Sequence, residues 1–205
     1  FKYKYLLVVM VLERLISLRD ALRNPWWVFA IGGIVSVTCL FISFLLFPQS
    51  VGLYTTFLIT MAMMPFMVNL INYEESRDEQ AIARGLKKNM FQRHRQILVV
   101  YAAFFSGMIL ALSIIFLMLP NTVVEKLFAD QVEAIKIIRG SVTFFTNFQR
   151  ILVNNIGVLV LSFLFSIIFG AGAVFILTWN ATILSTAIGL TAKSTGGVAG
   201  LPFAI

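Results

Sequence analysis

The sequence predicts an all-α polytopic helical membrane protein, with about four to five membrane-embedded helical elements and amphipathic helices at the interfaces. Three observations lead there. Hydrophobic residues make up 60% of the 205 and charged residues 12%, with twenty Phe and a mean hydropathy of +0.93, whereas soluble domains run at roughly 45–50% apolar and about 25% charged. Several uncharged runs reach the roughly 20 residues that a helix needs to cross a hydrocarbon core of about 30 Å. All nine acidic residues fall outside those runs. The same numbers exclude a disordered chain, which is poor in aromatics and rich in charge.

The elements follow in order as a single integral membrane domain over 1–205. The first span, near 26–47, carries no charge; Asn24 is its N-cap and Pro25 its first helical residue, where the missing N–H costs nothing. Trp26 and Trp27 suit the headgroup level, and Pro48 ends the span. The second span, near 53–71, contains Pro65, which removes the backbone bond to Met61 and predicts a kink there. A third span, near 97–119, stops at Pro120 and repeats Ala103, Gly107 and Ala111 at a spacing that lets another helix approach closely. Two flanking segments are amphipathic. Leu6–Arg23 sets Glu13, Ser17 and Asp20 opposite Leu12, Leu15, Ile16 and Leu22. Thr122–Arg139 places Val124, Leu127, Phe128, Ile135 and Ile138 on one side with Asn121 as its cap. Both read as surface struts or as docking faces for a partner.

Residues 151–189 are uncharged and interrupted by Asn154, Asn155, Gly170, Gly172 and Asn180. Two short spanning helices, a re-entrant pair of half-helices or one span from 156 to 179 all fit, with a helical hairpin favoured. Lys and Arg number five in 1–25, six in 73–96 and four in 120–150, with none in the 48–52 turn. By the positive-inside rule the N-terminal segment and 73–96 are cytoplasmic and 120–150 is external, in the cell membrane. Phe1–Leu12 has no small-residue cleavage site after it and is not read as a signal peptide, and the chain is expected to belong to a longer protein.

No catalytic set emerges. His94 is the one histidine, flanked by Arg93 and Arg95, and Cys39 is the one cysteine, so neither a zinc site nor an intrachain disulfide is expected. Nucleotide-cradling and hydrolase signatures are missing, and no cofactor is implied. The net charge of +7 follows from the positive-inside pattern and does not argue for nucleic acid. In 73–96, Glu74, Glu75, Asp78 and Glu79 precede Arg84, Lys87, Lys88, Arg93 and Arg95. If Glu74–Arg95 is one helix, its dipole favours both ends, with Ile82, Leu86 and Met90 along one face. This segment either grips anionic lipid or serves as a handle for a partner protein. Asn154, Asn155 and Asn180, with Arg150 at the rim, are the candidate intramembrane polar cluster, because unpaired amides are costly in hydrocarbon.

The chain resembles the stage II sporulation protein M family of multi-pass membrane proteins. The likeness rests on Leu12-Glu13-Arg14-Leu15 running to Asn24-Pro25-Trp26-Trp27, on Arg150-Ile151-Leu152-Val153-Asn154-Asn155 running to Gly170-Ala171-Gly172, and on Trp179-Asn180-Ala181 followed by Ile188-Gly189. Asn180-Ala181 stands where Asn-Gly is common. The resemblance implies a membrane scaffold that gathers partner proteins, peptidoglycan-degrading ones in sporulation members, and carries over no catalytic residue. The leading expectation is therefore a non-enzymatic scaffold in the lipid bilayer that forms homo-oligomers through Ala103, Gly107 and Ala111, with Gly170 and Gly172 as further packing positions and partners at 73–96 or 120–150. The alternative is a channel or transporter built on the polar hairpin, since broken helices frame transport sites.

Overall fold

The computed structural model describes residues 17–85, 90–139, 144–169 and 172–196. Every regular element among them is a helix: α1 Leu18–Arg23, α2 Pro25–Leu46, α3 Val51–Ala83, α4 Met90–Met118, α5 Asn121–Leu127, α6 Ala129–Arg139, α7 Phe144–Phe169 and α8 Gly172–Ser194. Four of them, α2, α3, α4 and α8, are long and apolar enough to cross a membrane.

Local chemistry sets the boundaries. The Ser17 hydroxyl caps α1 by accepting from the Asp20 N–H at 3.1 Å and donates to the Asp20 carboxylate at 2.6 Å. Asn24 caps α2 by accepting from the Trp26 N–H, with Pro25 at the first position. Trp26 and Trp27 are largely exposed, as a headgroup belt requires. Pro65 sits within a continuous α3 of 33 residues, about 50 Å at 1.5 Å per residue and longer than the hydrocarbon core. The second span and the acidic stretch that follows it are therefore one helix.

The single helix expected over Glu74–Arg95 does not form. Helix α3 ends at Ala83 with Arg84 as its C-cap, and Gly85 follows at φ +70, its N–H donating to the Ile82 carbonyl. A left-handed glycine just past the C-cap is a helix stop. The acids consequently stand in the C-terminal half of α3 and Arg95 in the first turns of α4, so the dipole argument fails. Contact between the helices replaces it: His94 Nδ1 lies 3.3 Å from a Glu74 carboxylate oxygen, and the Arg77 guanidinium donates to the Gln96 side-chain carbonyl. Helix α1 closes the same end. Its Ala21 is fully buried, and Leu18 and Leu22 pack on the adjacent core.

Thr122–Arg139 also departs from expectation. Phe128 breaks it into α5 and α6 because its ring turns inward and meets Phe116 at 5.0 Å between centroids. Asn121 is not the cap of α5, which follows Pro120; its side-chain carbonyl accepts instead from Lys193. In 151–189 the chain adopts paired helices. Only residues 170–171 separate α7 from α8, and the two pack against each other as a hairpin.

The bundle is a ring in the order α2, α4, α8, α3. Contacts of α4 with α8 advance together along both helices (Ser113 with Ser185, Phe116 with Gly189, Leu119 with Lys193), so these two helices run parallel. Helix α2 runs in the same direction as α4, with Val28 in one cluster with Val100 and Phe104 and Leu40 in the other with Leu112 and Phe116, and its Gly32 and Gly33 touch Phe104, Gly107 and Ala111. At this seam a Cβ on Gly107 would lie 2.1 Å from the Phe29 carbonyl oxygen, and one on Gly32 would lie 2.7 Å from that of Phe104. The small-residue face predicted to join copies of the chain is thus occupied by α2 of the same chain at Gly107 and Ala111, with Ala103 half-buried nearby. Two apolar clusters fill the interior. One is built around Met63, Met67, Phe104 and Met108, the other around Leu112, Phe116 and Phe128.

Replacing Gly107 with Ala forces backbone apart from backbone and is expected to lower stability by about 2–4 kcal/mol. A Cβ on Gly157 of α7 meets nothing within 4 Å, so Gly157→Ala is expected to leave stability unchanged or raise it by up to about 1 kcal/mol through helix propensity. Reversible unfolding of the two variants in mixed micelles checks the contrast, and equal effects would refute the seam.

Candidate functional site

The asparagine cluster expected from sequence does not assemble among the described residues. The Asn180 amide on α8 is half-buried and donates to the Ile176 carbonyl of its own helix at 2.8 Å. Asn155 lies on α7 and is exposed, and no hydrogen bond joins the two. Gly170 and the side chains of Arg150 and Asn154 lie outside the described residues; Gly172 is the first residue of α8.

A different polar region is present where α3 faces α8. Thr55, Thr56 and Thr60 of α3, and Thr178, Thr182, Ser185 and Thr186 of α8, are buried. Along both helices this belt falls mostly between the two apolar clusters. Each hydroxyl finds a carbonyl within its own helix, such as Thr56 to Gly52 at 3.1 Å and Thr186 to Thr182 at 2.8 Å. Back-bonding of this kind lets Ser and Thr sit in an apolar interior without an orphan donor. Ser113 of α4 joins from the side by donating to the Ser185 carbonyl at 3.3 Å.

Helix α6 closes the belt. Its Gln131 is 1% exposed and donates from Nε2 to Thr182 Oγ1 at 3.2 Å, while Oε1 has no partner. A Cβ on Gly52 would lie 2.1 Å from that oxygen, so the glycine makes the room. At the first turn of α3 the Asp130 carboxylate accepts from the Leu53 N–H at 2.9 Å, tying α6 to a helix N-terminus where negative charge is favoured. Helix α6 is therefore built into one end of the bundle and is not a strut lying on its surface. The signal for the belt was present in the sequence, because Thr178, Thr182 and Ser185 recur at 4 and 3 residues on an otherwise apolar helix. For Gln131 there was none, since a lone Gln in an amphipathic segment reads as surface.

The second feature is α7. It touches the rest of the chain through α8 and, less, α6. Leu152, Val153, Ile156, Leu159 and Phe163 are all exposed, Leu159 at 71%. Asn155 shares one face with Leu152, Leu159 and Phe163. Among the described residues no group of three or more His, Cys, Asp or Glu stands close enough to hold a metal ion. Comparisons with family models, with curated proteins and with solved structures find no match.

Gly52→Ala is expected to destabilise the fold through collision with Gln131, and Gln131→Ala in the same chain is expected to restore part of the loss by clearing the space. A double-mutant cycle by unfolding in micelles measures this; additive losses would show that the two residues do not meet.

Proposed function

We propose that the chain is a non-enzymatic integral membrane scaffold that self-associates through α7, with α7 as a fifth membrane-embedded helix. One observation carries this reading: Asn155 is exposed on an apolar helix face, among Leu152, Leu159 and Phe163. The apolar neighbours are content with lipid. The amide is not, because hydrocarbon offers its donors and acceptors nothing, and interhelical bonds from Asn are a recurrent source of association in membranes. The interior does not compete for the role, since the small-residue seam is closed within the chain and the belt hydroxyls are internally bonded.

In this reading the lysine and arginine distribution places α1 and 73–96 in the cytoplasm and α5 and α6 outside the cell membrane. The exposed end of α3, with Glu75 and Glu79, is then the cytoplasmic surface for a partner, and α5–α6 the external one. The resemblance to the stage II sporulation protein M family supports the same class of role. The belt and its buried Gln131 favour a second reading, a pore for a small solute. Against it stand the carbonyl bonds that already engage the belt hydroxyls and the absence of charge from the membrane-embedded runs.

Cysteine crosslinking in native membranes tests the proposal in a Cys39→Ala background. Leu159→Cys is expected to give covalent dimers, and Leu45→Cys, equally exposed but on α2, is expected to give none. Adding Asn155→Leu is expected to weaken the dimer about fivefold, the equivalent of roughly 1 kcal/mol for one interhelical hydrogen bond. Equal crosslinking at both positions, or a monomer throughout, overturns α7 as the interface. Solute flux through reconstituted vesicles, lost in Gln131→Leu, would establish the pore instead.

A further inference from the structure

A groove of about 730 Å³ opens at the α5–α6 end of the bundle, within the roughly 300–1,000 Å³ of small-molecule sites. Its two walls differ in chemistry. Leu190 of α8 and Val132 of α6, both half-buried, make an apolar wall, with Phe116 and Val124 buried behind it. Glu125 of α5 and Glu133 and Lys136 of α6 line the opposite side. On α6 the groove residues Ala129, Val132, Glu133 and Lys136 fall at helical spacing, while Gln131 and Ile135 face the bundle.

Lys193 is the fixed point. Its ammonium donates to the Leu119 carbonyl at 2.8 Å and to Asn121 Oδ1 at 3.0 Å, and it stands 5.3 Å from the centroid of the Phe116 ring. Two of three N–H donors are thereby engaged, leaving one for a ligand. Among the described residues Glu125, Glu133 and Lys136 make no ion pair or hydrogen bond with one another or with any neighbour. Among the described residues the groove therefore offers a held cation at Lys193, an unpaired one at Lys136 and unpaired carboxylates at Glu125 and Glu133 beside an apolar wall.

We propose that this groove is a binding site for a zwitterionic phospholipid of the ethanolamine class, with the phosphodiester at Lys193 and Lys136, the ammonium at Glu125 and Glu133, and an acyl chain along Leu190 and Val132. Charges of both signs select a zwitterion over a purely anionic lipid, which would meet two uncompensated carboxylates. Carboxylates also select a primary ammonium over a quaternary one, because they need N–H donors. A choline group is recognised by aromatic faces, and Phe116, the one aromatic in this lining, is already faced by Lys193. The position of the site, where apolar span ends meet charged flanking helices, is where a headgroup and the first part of its chain lie together.

Native mass spectrometry of the full chain in detergent, with equimolar phosphatidylethanolamine, phosphatidylcholine and phosphatidylglycerol of identical acyl chains, tests this. The ethanolamine lipid is expected to be retained in preference to both others. Glu133→Gln and Lys136→Gln alter exposed side chains and are expected to keep the thermal midpoint while reducing that retention about tenfold each, as loss of a charge-assisted contact implies. Retention of the glycerol or choline lipid as strongly as the ethanolamine lipid overturns the proposal, and so do variants that bind as the parent does. Water-soluble glycerophosphoethanolamine is expected not to displace the lipid at equal concentration; displacement would overturn the role of the apolar wall. Failure here leaves α7 association untouched, because none of the described α7 side chains lines the groove.

Discussion

The close approach of α2 and α4 governs the rest of this structure. Gly107 admits the Phe29 carbonyl at a distance no side chain permits, and Gly32 does the same for Phe104. In hydrocarbon there is no hydrophobic gain from bringing helices together, because lipid chains are as apolar as leucine, so such seams depend on dispersion and shape. Two helices locked this closely fix a direction and an offset. Helix α8 joins α4 in parallel register, and α3, returning from the 47–50 turn, fills the remaining side. Rings such as Phe104 and Phe116 then pack against glycines of neighbouring helices, Gly32 and Gly189. Removal of the glycines would undo the ring from its first pair outwards.

With four helices so arranged, the polar side chains inside must be satisfied locally or across the ring, and the chain uses both means. Threonine and serine hydroxyls mostly fold back onto their own helices, while Gln131 reaches Thr182, Ser113 reaches Ser185, Lys193 reaches Leu119, Asp130 accepts from the Leu53 N–H, and Arg77 and His94 meet Gln96 and Glu74. Three of these ties, those of Gln131, Ser113 and Lys193, involve α8. It is thus the element through which α6, α4 and the α7 hairpin are held together.

Much of this was legible in the residues. The first three spans were readable from uncharged runs and from Asn24-Pro25, because caps and hydropathy are local properties. One error came from a local signal that was overruled. Gly85 is a helix stop visible in sequence, yet the charge pattern of 74–95 suggested one continuous helix. Phe128 and Gln131 were illegible for a different reason: in an amphipathic segment nothing local separates a residue at the surface from one inserted between helices. Gly107 and Ala111 of α4 lie against α2 of the same chain, and sequence cannot tell a partner in the same chain from one in another. The asparagines misled similarly. Asn180 satisfies its amide one turn back in its own helix, an option open to any helical asparagine and invisible in composition.

The consequence for function is one of location. An interior whose small residues are closed against one another and whose hydroxyls are bonded within their helices has little left to offer a substrate. Apart from the buried Gln131 Oε1 and Ser43 Oγ, what remains unmet among the described residues lies on the outside: an amide among exposed apolar side chains on α7, Glu75 and Glu79 on the projecting end of α3, and charges of both signs along a groove beside the ends of α4 and α8. These are three different kinds of demand, for a helix, for a soluble surface and for a headgroup. They occupy separate parts of the chain, so they can be met together. Under the proposed scaffold role these peripheral groups hold other molecules in place, and their arrangement determines which molecules those are.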